Sequence, residues 1–195
     1  MFKVAVLISG AGTTLKSILD DAEKDGAYEV GLVLCDRRCG GIEYAREKQI
    51  PFQILERDSM LSERILEEVK SFDLVVLAGF LSILEGKILQ VMKNRIINLH
   101  PSLLPSFGGR GMYGIHVHEA VYKSGMPISG CTVHYVDDKV DGGSFILKRI
   151  IGIRDAKNPE EIQSLVSSIE KGALTDAIRL LAKGEDVYES THQCI

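Results

Sequence analysis

Positive charge is not in excess in this sequence, cysteine is scarce, and no apolar run is long enough to span a membrane. Each absence excludes something. The 23 Lys and Arg residues against 27 Asp and Glu leave a formal net charge of −4, whereas a nucleic-acid backbone is held by cationic side chains concentrated on one surface. Arg37-Arg38 is too short a run for that and reads as a solvated loop. Of the four cysteines, at 35, 39, 131 and 194, Cys35 and Cys39 are four apart instead of the three that a C-x-x-C zinc or redox pair requires. Cys131 stands inside an apolar alternation, where a thiol is a small buried side chain. The start, Met1-Phe2-Lys3-Val4, passes straight into a short strand, with neither a signal-peptide cleavage site nor the roughly 18 apolar residues of a membrane span. A cytoplasmic protein with no nucleic-acid or membrane partner is expected. Low-complexity tracts, linkers and internal repeats are also lacking.

What remains is 195 residues, 45% hydrophobic and 26% charged, which suits one globular domain over 1–195. Val4-Ala5-Val6-Leu7-Ile8 is a continuous apolar run stopped by Ser9-Gly10-Ala11-Gly12, as in a strand buried on both faces and followed by a tight turn. A helix from Thr13 places Leu15, Ile18 and Leu19 on one face. The alternation recurs as strand 30–35, helix 42–48, strand 52–55, helix 61–69, strand 74–78, helix 83–92 and strand 95–100, which Pro101 ends. Such order indicates an α/β fold with a doubly wound, mostly parallel sheet and a Rossmann-like N-terminal half. After a Gly-rich stretch and a helix over 118–123, the pattern changes. Two strands, 131–136 and 144–153, follow without a helix between them, so the sheet is expected to be mixed. Asn158 as N-cap with Pro159 at N1 opens a last helix over 159–182.

Two places carry chemistry. Gly10-Ala11-Gly12-Thr13-Thr14 lies between the first strand and first helix, where unpaired N–H groups and the helix dipole favour an anion such as phosphate. A dinucleotide fingerprint would put glycine or alanine at 15, where Leu15 stands. Asp36 after the second strand and Arg37-Arg38 nevertheless keep an NADP-dependent oxidoreductase open on this segment, beside a turn that uses glycine only for its backbone angles. The second place is a strand end. Asn98 and His100 are two apart on an extended strand and share a face, and they sit at its carboxyl end, where open α/β sheets bind ligands. An amide and an imidazole there suit an oxyanion formed in acyl transfer.

The run Asn98-Leu99-His100-Pro101-Ser102-Leu103-Leu104-Pro105, with Gly130-Cys131-Thr132-Val133-His134-Tyr135-Val136 and Asp141-Gly142-Gly143, resembles the folate-dependent formyltransferase family. The resemblance covers nearly the whole chain, more loosely over 37–70 and after 185. Val6-Leu7-Ile8-Ser9-Gly10 and Leu77-Ala78-Gly79-Phe80 bring it nearest to members that formylate a glycinamide ribonucleotide in purine biosynthesis. It implies the formyltransferase fold, with a phosphate-binding half over about 1–100 and a folate-binding and catalytic half over about 77–195. The cosubstrate implied is 10-formyltetrahydrofolate, with no metal, and the other partners are small-molecule substrates of a monomer or homodimer.

Residue by residue, the resemblance makes Asn98, His100 and Asp141 catalytic. Asp141 would raise the His100 pKa above the unperturbed ~6.5 and keep the imidazole charged as general acid. Gly12, Thr13, Thr14 and Leu15 fall at the ribonucleotide phosphate, and Glu170 falls at its amine end. The folate falls to Leu81, Ser82, Ile83, Leu84 and Asn98, and to Asp137, Asp138, Lys139, Val140 and Asp141. Ala11 stands where asparagine is common, and Ser82 where arginine is frequent. The stretch 108–118 is longer than its counterpart in relatives, and its His116 and His118 diverge on a helix instead of forming a metal pair. A tRNA-directed formyltransferase would carry a further C-terminal RNA-binding domain and a basic face. A formyltetrahydrofolate hydrolase would carry a domain ahead of the first strand. A non-catalytic nucleotide-binding module is the remaining alternative.

Overall fold

A computed structural model describes residues 1–185; Cys194 lies outside the described residues. The chain forms two compact units, one over Met1–Asn98 and the other from Leu99 onward. The first holds β1 (Phe2–Ile8), α1 (Thr13–Asp25), β2 (Tyr28–Cys35), α2 (Ile42–Glu47), β3 (Phe52–Ile54), α3 (Leu61–Val69), β4 (Leu74–Leu77) and α4 (Lys87–Val91). Strand β5 (Ile96–His100) crosses the division. The second unit continues with α5 (Ile115–Ser124), β6 (Ile128–Tyr135), β7 (Phe145–Gly152) and α6 (Pro159–Lys183).

In the first unit the strands run parallel in the order β3-β2-β1-β4-β5. Val4 to Ile8 are all fully buried, as the unbroken apolar run requires of a central strand with helices over both faces. Burial of each such side chain contributes about 1.5–3 kcal/mol. Helix α1 turns Leu15, Ile18 and Leu19 inward, and α3 does the same with Leu61, Ile65, Leu66 and Val69. The register between β1 and β2 slips by one residue after Val4, leaving Gly31 as the unpaired residue of a bulge. A Cβ there would lie 3.0 Å from the Phe72 ring, so the bulge is placed where only glycine lets the ring pack.

In the second unit β6 pairs antiparallel with β7, with a further slip at His134. Helix α6 packs over β6 and β7 with Ala173, Leu174, Ala177 and Ile178 buried. The expected mixed sheet is therefore present, and most boundaries agree within three residues. Two differ further or matter more. The helix expected over 83–92 begins only at Lys87, because Gly86 takes φ 74°, ψ −138°, a combination open to glycine alone. The preceding residues 81–86 are irregular. Likewise α5 starts at Ile115, after Gly114 at φ 56°, ψ −135°.

The start of α6 is capped in both directions, as in a capping box but with the return bond one residue earlier. Asn158 Oδ1 accepts from the Glu161 N–H at 2.8 Å, and Glu161 accepts from the Lys157 N–H at 2.9 Å. Asn158→Ala is expected to lower stability by about 1 kcal/mol, read as a thermal midpoint lower by roughly 2–4 °C. An unchanged midpoint would mean the helix is held by packing alone.

Candidate active site

Strand β5 delivers His100 to the inside of the second unit, and Pro101 ends the ladder there. His100 is buried. Its Nε2 lies 2.8 Å from the Phe107 carbonyl oxygen, and its Nδ1 lies 3.4 Å from Asp141 Oδ2. A carbonyl can only accept, so the Nε2 that meets it is the donor, and Asp141 presents a second acceptor on the side of Nδ1. Asp141 is fixed in turn by the Gly109 N–H, 2.9 Å from Oδ2. Its other oxygen lies 3.6 Å from His134 Nε2. Asn98 stands half-buried two residues before His100 on the same strand, in register with Leu77 of β4.

His134 was not among the residues singled out from sequence as catalytic. Burial pushes its pKa down, while the Tyr135 carbonyl and Asp141 push the other way. Period-two spacing on β6 held the clue: His134 shares a face with Thr132, whose hydroxyl donates to the Ser102 carbonyl at 2.7 Å and accepts from the Leu104 N–H at 3.0 Å. The two α5 histidines diverge as expected. His116 is exposed beside Glu119, at 3.3 Å, whereas His118 is buried and its pKa is lowered by burial and then by His100. Among the described residues no group of three or more His, Cys, Asp or Glu is placed to hold a metal ion.

In the first unit the glycine loop opens α1 with Gly12 at φ 76° and no side-chain cap. No side chain therefore caps the N–H groups of the first turn, which carry the positive end of the helix dipole. Gly12 is required for more than its angle. A Cβ on it would fall 2.4 Å from the Gly41 Cα, and one on Gly41 would fall 2.9 Å from the Gly12 Cα, so two backbones cross there. Thr13 is exposed and Thr14 half-buried, but the Leu15 side chain is in the core. Only the backbone of Leu15 is available to an anion.

Asp36, the residue that kept a dinucleotide open, is buried. Its Oδ2 accepts from Ser82 Oγ at 2.7 Å and from Arg57 Nε at 2.7 Å, and its Oδ1 is buried 3.6 Å from Arg37 Nε, so the carboxylate is turned into the fold and away from solvent. The same bond occupies the Ser82 hydroxyl, and the Leu81 N–H donates to Ser9 Oγ at 2.8 Å. Leu81 and Ile83 hold their side chains 60% and 62% exposed, while Leu84 is buried at 4%. In the second unit the Asp137–Asp141 segment is a tight turn. Lys139 N–H donates to Asp137 Oδ1 and Gly142 N–H to the Lys139 carbonyl, each at 2.9 Å. Asp138 and Val140 are exposed. Glu170 lies on α6, its carboxyl pushed up by burial against opposing effects of Ser167 and Lys171. Cys131 on β6 is pushed up to about 12 by burial and next by the charge of Glu170, which puts that carboxylate near β6.

Burial opposes ionisation of Asp36, but hydrogen bonds from Ser82, Ser9 and Arg57 outweigh it and its pKa is lowered in the fold. A depressed carboxyl stabilises the fold above its unfolded value of ~3.9 and loses that contribution as pH falls through the lower folded value. Denaturant unfolding of Asp36→Asn between pH 6 and pH 2 is therefore expected to show a shallower acid-side loss than the parent. Parallel curves would show that Asp36 contributes nothing to acid sensitivity.

Residues 2–178 match the formyl transferase family. The chain is 34% identical over 175 residues to the chloroplastic phosphoribosylglycinamide formyltransferase of Arabidopsis thaliana, covering 84% of this chain and 60% of that one. It thus spans about three-fifths of that relative's length. Against the phosphoribosylglycinamide formyltransferase of Haemophilus influenzae the identity is 32%, with 84% of this chain and 79% of that protein covered. The crystal structure of phosphoribosylglycinamide formyltransferase from Anaplasma phagocytophilum superposes with a TM-score of 0.83 at 32% identity, covering 94% of this chain and 88% of that one. With the seven strands, the buried His100–Asp141 pair and these likenesses together, the chain belongs to the formyl transferase family.

Proposed function

We propose that this chain, acting as a single domain over 1–195, transfers the formyl group of 10-formyltetrahydrofolate to the amine of N1-(5-phosphoribosyl)glycinamide. The products are formylglycinamide ribonucleotide and tetrahydrofolate, in de novo purine (IMP) biosynthesis, with the cytoplasm as its compartment. The observation that carries the reading is the buried His100 ring with an acceptor at each nitrogen, Phe107 O at 2.8 Å and Asp141 at 3.4 Å.

The chemistry asks little of covalent catalysis. The free amine attacks the formyl carbon, the C=O becomes a tetrahedral oxyanion, and collapse re-forms the C=O and breaks the bond to the folate nitrogen, which takes up one proton as the attacking nitrogen gives one up. Asn98 and His100 donate to the oxyanion. Nε2 is anchored on the Phe107 carbonyl, so the Nδ1 edge faces the reaction. The 3.4 Å to Asp141 Oδ2 is long for a charge-assisted hydrogen bond, leaving that proton available to a substrate oxygen. Asp141 supplies a carboxylate beside the Nδ1 edge of the ring. Gly12, Thr13, Thr14 and the Leu15 backbone take the phosphate, and Glu170 takes the glycyl ammonium; a half-buried carboxyl whose pKa burial has raised regains its charge when a cation arrives. The folate falls to Leu81–Leu84, Asn98 and Asp137–Asp141. Leu81 and Ile83 contribute apolar side chains, and the Ser82 hydroxyl is already bound to Asp36.

Absorbance at the release of tetrahydrofolate, with and without the ribonucleotide, tests this directly. Signal only with the ribonucleotide is expected. Equal signal without it would make the chain a formyltetrahydrofolate hydrolase. His100→Ala and Asp141→Asn are each expected to lower kcat roughly 10²–10⁴-fold while ribonucleotide binding by calorimetry persists; turnover near the parent rate in either variant would remove the assigned role.

A further inference from the structure

Two non-glycine residues beside His100 have left-handed backbones, Phe107 and Asp141, both at φ 57°. For a β-carbon-bearing residue this conformation costs about 1–2 kcal/mol, and it persists where surrounding contacts impose it. Phe107 ends a turn over 101–107 that aims its carbonyl at His100 Nε2. Within the turn, Ser102 Oγ donates to the Ser106 carbonyl at 2.7 Å, and Ser106 N–H donates to the Leu103 carbonyl at 3.2 Å. From outside, Thr132 on β6 grips Ser102 and Leu104, as described above. The neighbouring strand adds a cation. Lys148, paired with Thr132 in the β6–β7 register, donates from Nζ to the Leu104 carbonyl at 2.5 Å. The same ammonium stands 4.0 Å from the centre of the Phe145 ring.

We propose that Lys148 is a positioning residue for His100, its ammonium fixing the turn that holds the Phe107 carbonyl against the imidazole and so setting which ring edge faces the reaction. A cation serves here because Leu104 is buried and its carbonyl needs a donor, and a charge-assisted bond is about twice as strong as a neutral one. Burial pushes the Lys148 pKa below the usual lysine range. The aromatic face and the carbonyl compensate that desolvation by different means, cation–π attraction and a hydrogen bond. Gly108 completes the arrangement: a Cβ on it would lie 2.4 Å from Leu104 Cδ2 and 3.3 Å from Asp141 Cβ, so Leu104 and Asp141 are pressed against the same backbone. The inference rests on the formyl transfer proposed above for its kinetic consequence, but not for its structural one.

The test is Lys148→Met and Lys148→Arg in the full chain. Met is expected to lower kcat roughly 10- to 100-fold, the scale of a displaced catalytic group, with KM for both substrates unchanged, and Arg is expected to restore most of it. In ¹⁵N-labelled protein the His100 Nε2 resonance is expected to move in the Met variant and return in the Arg variant. If Met does not fold, Lys148→Gln, which keeps only a weaker neutral donor, is expected to move the Nε2 resonance in the same direction by a smaller amount and to lower kcat less than Met would, and an unmoved resonance there overturns the proposal as well. An unmoved Nε2 resonance, or a loss appearing in KM alone, would overturn the proposal. If the parent chain shows no formyl transfer, the functional reading fails, while the Nε2 resonance still decides whether Lys148 holds the carbonyl on His100.

Discussion

A carboxylate buried beside two imidazoles must be given donors, and the second unit is organised around that demand. Asp141 receives the Gly109 N–H and faces His100 and His134. An uncompensated buried charge would instead shed its ionisation. To set one carboxyl among these groups, the chain takes a left-handed turn at Asp141, passes close to Gly108, where a Cβ would lie 3.3 Å from that of Asp141, and slips the β6–β7 register at His134. Each is locally unfavourable. Together they hold the ring that the proposed mechanism uses as its general acid, in line with strain concentrating at functional sites.

The first unit meets a different constraint, the crossing of two backbones at Gly12 and Gly41. That approach requires glycine at the N-cap of α1, so the first turn carries no side-chain cap. Asp36 sits nearby in sequence from β2, and its hydrogen bonds from Ser82 and Arg57 tie the irregular 79–86 segment to the end of a core strand. A residue that resembles a ribose-binding acid in the linear sequence is thus a structural tie in the fold.

Much of the fold was legible because parallel buried strands leave continuous apolar runs. Val4–Ile8 and Leu74–Leu77 announce themselves, and Asn158-Pro159 announces the start of α6. The start of α4 was not legible: Ile83, Leu84 and Ile88 continue a helical spacing, and nothing local says that Gly86 adopts an angle that stops it. The site divided in the same way. Asn98 and His100 could be paired from strand geometry alone, but His134 gains its meaning from Asp141 across a loop. Ser82 meets Asp36 over 46 positions and Lys148 meets Leu104 over 44. Contacts of that sequence separation depend on strand order and register, which periodicity does not reveal. Leu15 shows the reverse error. Its place in the phosphate motif suggested a contact residue, yet its side chain belongs to the core and only its backbone can serve.

The irregular segment after β4 has a thermodynamic consequence. Leu81 and Ile83 keep most of their side-chain surface in water, 60% and 62%, on a stretch whose backbone is pinned by Ser9 and Asp36. Because the backbone is pinned, covering those side chains requires little ordering of the chain. Dehydrating apolar surface lowers heat capacity by about 0.45 cal/mol/K for each Å² removed from water. A molecule that covers these side chains therefore gains from them a binding enthalpy that becomes more favourable as temperature rises, a contribution that polar surface buried elsewhere in the contact partly offsets.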